Sequence, residues 1–114
     1  MTTMKRTILI ITCLLLTGLA QARAQDASES WEKNCRKCHG PDGKGDTKMG
    51  KKVEVKDYTD AAVQAAAKDE EMFKAIKEGV KDTDGKERMK AYGETLTDDQ
   101  IKALVAYVRA FKKP

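Results

Sequence analysis

The pentapeptide Cys35-Arg36-Lys37-Cys38-His39 constrains this chain more than any other stretch. Two thiols separated by two residues, with an imidazole directly after the second, form the pattern of a covalent c-type haem site. The spacing lets both sulfurs add across the vinyl groups at one porphyrin edge while the imidazole swings beneath the iron. Three other readings compete: a thioredoxin-like redox pair, half of a zinc site and a chance pattern. A redox dithiol opens a helix after a strand in a βαβ unit, and no strand pattern precedes Cys35. A structural zinc site takes four ligands. The only other cysteine, Cys13, lies in a segment expected to be removed, and His39 is the only histidine.

That removable segment is the N-terminus. Lys5 and Arg6 precede an apolar run from Ile8 to Leu16, interrupted only by Thr12, followed by small residues ending Ala22-Arg23-Ala24. This is the build of a secretory signal peptide, with residues 1–24 cleaved and 25–114 forming the mature domain. The apolar run is far short of the roughly 20 residues that span a bilayer, so stable membrane insertion after processing is not expected. Cys13 sits midway through the apolar run and reads as one more apolar residue. Covalent attachment suits a cofactor that must survive outside the cytoplasm, and the bacterial periplasm is the expected address.

Cleavage leaves 90 of the 114 residues, enough for one small domain. Trp31, Phe73 and Phe111 are the only aromatics besides three tyrosines, so protein burial alone supplies little core. A buried haem would supply the rest. The full chain carries a net charge of +4, and the lost segment takes Lys5, Arg6 and Arg23 with no acid, which leaves +1. That balance argues against nucleic acid as a partner.

The hydrophobic period of the mature chain is helical throughout, and no alternating strand is expected. A first helix starts near Asp26, with Glu29 completing a capping box, and runs into Cys35, placing Ala27, Trp31 and Cys35 on one face. The stretch from Gly40 to Asp46 is a turn. It lacks the Gly-Lys-Ser/Thr ending and the preceding strand of a phosphate loop. Two short middle helices follow, near residues 59–67 and 69–78, with Gly79 as terminator. After a second turn-rich segment, residues 81–86, Thr97 and Gln100 form a capping box for a strong C-terminal helix ending near Lys112. Its apolar set is Ile101, Leu104, Val105, Val108 and Phe111.

This order of parts, over residues 26–113, resembles the class I cytochromes c, and in particular their compact bacterial branch. The resemblance implies an all-α fold with crossing N- and C-terminal helices, two short middle helices and one haem enclosed by loops. It also implies a helix contact of Ala27 and Trp31 against Leu104, Ala106 and Tyr107. The segment from Arg88 to Gly93 resembles the family's distal ligand loop, although Lys90 stands where many relatives have proline after the methionine.

On this reading His39 is one axial ligand, and Met49, Met72 and Met89 compete for the other once Met1 and Met4 are removed. Met72 falls at helical core spacing. Met49 follows His39 too closely to pass round the ring and reads as a haem-edge packing residue. Met89 has the chain length to cross over and the family match, so His39 and Met89 are the expected iron ligands and Cys35 and Cys38 the covalent links. The ring of His39 is expected to donate its second nitrogen to a backbone carbonyl. Val53, Val55, Tyr58 and Tyr92 are candidates for the pocket wall.

The function expected is that of a monomeric electron carrier, not an enzyme, passing single electrons between a redox protein donor and an acceptor. The alternatives are a haem-based ligand binder or peroxidase-like protein, in which Met89 leaves the iron open, and a non-haem thiol oxidoreductase using Cys35 and Cys38. Residues 35–56 carry seven basic side chains against three acidic ones, while residues 57–80 carry six acids against three lysines. Charge is therefore polarised along the chain, which suits either solvated faces that keep a small protein soluble or an acidic partner near the haem edge.

Overall fold

The computed structural model describes residues 23–114; the expected signal segment, with Cys13, Met1 and Met4, falls outside them except for Arg23 and Ala24. Helix α1 covers residues 23–39. It does not begin at Asp26: the exposed Asp26 lies inside the helix, so the expected capping box there is not formed. Gln25, directly before it, is a good helix former and does not stop the helix there. Within α1, Trp31–Cys35 form a wider π turn in which the Arg36 N–H bonds Trp31 O. Such turns occur mostly as single insertions at functional sites.

Four further helices follow. Helix α2, Lys48–Val53, is capped by Thr47, whose side chain accepts from the Gly50 N–H at 2.8 Å. It falls where the sequence pattern shows no helix. Helix α3, Ala61–Ala66, is capped by Asp60 and is shorter than the sequence suggests. Helix α4, Asp69–Glu78, opens with three acids at its positive end and stops at Gly79. Helix α5, Asp98–Arg109, starts with the expected Thr97/Gln100 capping box and ends before Lys112.

Between α4 and α5 lies a feature with no counterpart in the sequence pattern, an antiparallel hairpin of β1, Val80–Lys81, and β2, Glu87–Met89. Val80 pairs with Met89 and Lys81 with Glu87, so Arg88 is an extra, bulged residue. Strands of two and three residues are too short to display an alternating pattern, which is why the sequence predicts no strand. The fold is otherwise all-α.

The core forms where α1 crosses α5. Ala27, Trp31, Ile101, Leu104, Val105 and Val108 are buried, joined by Met72 and Leu96. The Trp31 ring centroid lies 5.5 Å from that of Tyr107 and 5.0 Å from that of Phe111, within the range of favourable aromatic pairs. The expected crossing is present, but Ala106 is exposed and Ala103 packs in its place. On a helix starting at Asp98, position 103 shares the inward stripe with Leu104 and Tyr107 while 106 turns outward.

Among the described residues, one buried side chain is polar. Gln64 donates to Tyr58 O and Val108 O and accepts from Arg109, whose guanidinium also reaches Gln64 O, Ala67 O and Asp69. This satisfied cluster ties α3 and α4 to the end of α5. No helix of the described residues is long and apolar enough to cross a membrane.

Candidate functional site

His39 is the last residue of α1, and the chain leaves the helix through Gly40 at φ 80°. The turn is held by the Trp31 indole N–H donating to Gly40 O at 3.0 Å and by the Gly45 N–H donating to His39 O at 2.8 Å. Thr47 Oγ1 donates to Cys38 O at 2.7 Å while accepting from Gly50, which fastens α2 against the Cys-x-x-Cys-His turn. Gly50 is buried here, and the packing admits no side chain, since a Cβ at this position would collide with Cys38 O and Gly45 O. The imidazole of His39 stacks obliquely between Trp31 and Tyr58, with ring centroids 5.5 and 5.8 Å away.

Cys35, Cys38, His39 and Met89 open onto one cleft with two chambers, of about 190 and 390 Å³. Cys35, His39, Lys56, Tyr58, Ala75 and Met89 line both chambers, and Cys38 lines the larger. The cleft falls in the size range of cofactor sites, about 300–1,000 Å³. Its deep wall is Trp31, Leu104 and Val108, and its far wall is made by Ala66, Ala67, Met72, Ala75 and Ile76 of the middle helices and the residue between them. The four wall residues expected from sequence, Val53, Val55, Tyr58 and Tyr92, all line it. The alanines of the far wall are not among the site residues that the sequence suggests. The alanine-rich run 61–67 is the available signal, because small side chains facing inward leave room for something that is not protein.

Met72 is buried and lines the deep chamber from α4, as its helical spacing suggests. Met49 differs from expectation: it is exposed on α2 and touches neither chamber. The turn of α2 that directs Gly50 inward against Cys38 sends the neighbouring side chain outward.

Electrostatics follow burial. The Cys35 thiol is pushed up to about 11 by desolvation, reinforced by Cys38. Burial holds His39 below the ordinary imidazole value, so the ring is neutral at neutral pH. Its Nδ1 is buried without a hydrogen-bond partner, so the expected bond to a backbone carbonyl is not made. A buried, neutral, unpartnered imidazole nitrogen is costly in protein alone and is the form in which histidine binds a metal. Two free half-buried thiols beside it complete a donor set that fits a covalently held haem. Burial also raises the Tyr58 hydroxyl and, with Cys35 as the next cause, that of Tyr92, which donates to Asn34 O at 2.9 Å.

Comparison with known proteins agrees with a c-type haem as the cofactor. The family described as cytochrome c oxidase, cbb3-type, subunit III, matches residues 22–108. Among solved structures, the KustC0563 c-type cytochrome is 34% identical, with a TM-score of 0.67, covering 76% of this chain and 98% of that one. A tyrosine-to-phenylalanine mutant of that protein is likewise 34% identical, with a TM-score of 0.65, covering 76% of this chain and 99% of its own. A search of curated proteins finds no significant match.

Proposed function

The chain belongs to this family of c-type cytochrome domains, and on that premise we propose that it is an exported, periplasmic, monomeric one-haem electron carrier in which Cys35 and Cys38 form the thioether links and His39 and Met89 are the axial ligands. The supporting observation is that Cys35, His39 and Met89, from α1 and β2, line the same cleft from both chambers. When bound, the haem supplies a one-electron couple at its iron.

The protein's own residues do the rest. His39 is kept neutral and oriented by its aromatic neighbours and by the hydrogen-bonded turn that follows it. The Met89 thioether would be a soft donor to the iron, favouring iron(II) and raising the potential relative to two nitrogen ligands. With both His39 and Met89 holding the iron, no place would be left for oxygen or peroxide, which favours a carrier over a catalyst. Trp31, Leu104 and Val108 keep water from the inner wall of the cleft.

The test is spectroscopic and uses the mature holoprotein. Haem should stay with the chain after acid denaturation, and Met89→Ala should abolish the far-red sulfur-to-iron(III) charge-transfer band, lower the potential and admit carbon monoxide. Met72→Leu and Met49→Leu should keep the band. Carbon monoxide binding by the native ferrous protein would instead favour a ligand binder, and a folded haem-free mature protein with a Cys35–Cys38 disulfide would favour a thiol oxidoreductase.

A further inference from the structure

Gly79 lies at the junction of α4 and the hairpin, with φ +79°. A Cβ at this position would stand 2.7 Å from Met89 O and 2.9 Å from Ala91 N, closer than real Cβ contacts come. The backbone of the Met89 segment therefore rests directly on Gly79. Three more attachments hold that segment. Val80 pairs with Met89 across the hairpin. The Tyr92 N–H donates to Ile76 O at 2.9 Å, and the Gly93 N–H donates to Lys77 O at 3.0 Å, so carbonyls at the end of α4 are satisfied by the chain that follows Met89. A Cβ on Gly93 would in turn come within 2.8 Å of Lys77 O.

We propose that Gly79, with Gly93 and the bulged hairpin between them, is the seat that positions Met89 in the cleft, doing by backbone contact what a proline after the methionine would do by local restriction. The inference rests on the reading of Met89 as distal ligand. Proline restricts the residue before it to extended conformations through its own ring. Lys90 imposes no such limit, so the conformation of Met89 is set by what its backbone packs against. The extra residue at Arg88 serves the same end, since a bulge beside a site re-aims the side chain next to it. Gly79 lines neither chamber and is a positioning residue acting through Met89.

Gly85 supplies a matched control. It has the same φ of +79°, but a Cβ there would meet nothing within 4 Å, so alanine carries the backbone strain without the collision. In the ferric holoprotein, Gly79→Ala should lose or strongly weaken the far-red sulfur-to-iron band, and its ferrous form should bind carbon monoxide, while haem content and helical circular dichroism are retained. Gly85→Ala should keep the band and exclude carbon monoxide. A band retained in Gly79→Ala, or lost equally in both variants, overturns the proposal. If Gly79→Ala gives no holoprotein, Gly93→Ala decides, because its position carries no positive φ: loss of the band supports the seat and an intact band overturns it. Met89→Ala separates the two claims. A band that survives Met89→Ala removes the ligand assignment itself, whereas a band lost in Met89→Ala and kept in Gly79→Ala removes only the seat.

Discussion

Glu54 is the only described non-glycine residue at positive φ, 58°, where it ends α2 in the left-handed region. A Cβ there costs about 1–2 kcal/mol relative to glycine in the same conformation. Glu54→Gly should therefore raise stability by about 1 kcal/mol, read as a shift of the denaturation midpoint, and an unchanged or lowered midpoint would show that the glutamate side chain makes a compensating contact. The proposed haem-binding residues lie at the opposite extreme, since the role we propose for them is covalent and coordinate chemistry. Serine at Cys35 or Cys38 should sharply reduce the yield of holoprotein, because on the proposed reading so polar a chain would draw much of its core from the haem those thiols would hold. Cys35, Cys38 and His39 stand out in the sequence as candidates because a five-residue motif carries their spacing with it, and Met89 because few methionines lie outside the expected signal segment. Gln64 is not legible: polarity predicts exposure, and only the fold reveals two carbonyls and an arginine waiting for its amide.

At the scale of elements, legibility follows length and capping. Helix α5 is readable because twelve residues display a full period and a capping box marks its start. Thr97→Ala should cost about 1 kcal/mol of stability, measured by chemical denaturation. Helix α2 escapes notice because six residues rich in lysine and glycine show no period, although Thr47 ahead of it is an available N-cap signal. The hairpin is held by its turn more than by its strands. Asp82 Oδ1 accepts from the Asp84 and Lys86 N–H groups, and Oδ2 accepts from Arg88. The Lys86 amide bond is the main cause that holds the Asp82 carboxyl below its usual 3.8. Because the folded value is depressed, the stabilisation is fully present above pH 3.8 and is lost as pH falls through the folded value. Amide protection at Asp84 and Lys86 should accordingly fall in that acid window, and at all pH values in Asp82→Ala. Protection indifferent to both changes would mean that strand pairing alone holds the turn.

For the whole molecule, one crossing supports both stability and site. Leu104 is 1% exposed, belongs to the core and also forms the deep wall of the cleft. Leu104→Ala should cost about 2–5 kcal/mol and loosen the cleft as well. The charge polarity read along the sequence acquires a place in the fold. Lys56, Arg88 and Lys90 line the cleft, and Lys52 is exposed on the adjoining helix. Asp82 partly offsets Arg88, and Asp46 pairs with Lys51 at 3.0 Å. Lys90 also leans over the Tyr92 ring at 5.9 Å. Lys56, Lys90 and Lys52 are thus the charges most available to an acidic partner. Exposed pairs of this kind add little affinity but steer encounter, which suits a complex that must form and separate quickly. The association rate with the native partner should fall as ionic strength rises, and fall again when Lys56, Lys90 and Lys52 become glutamate, with the reduction potential nearly unchanged. The salt dependence should also flatten in the triple variant, because the charges that salt screens are gone. A rate in the wild type that is flat from low to physiological salt would instead assign docking to apolar contact at the cleft mouth, where Val53, Val55 and Val80 stand.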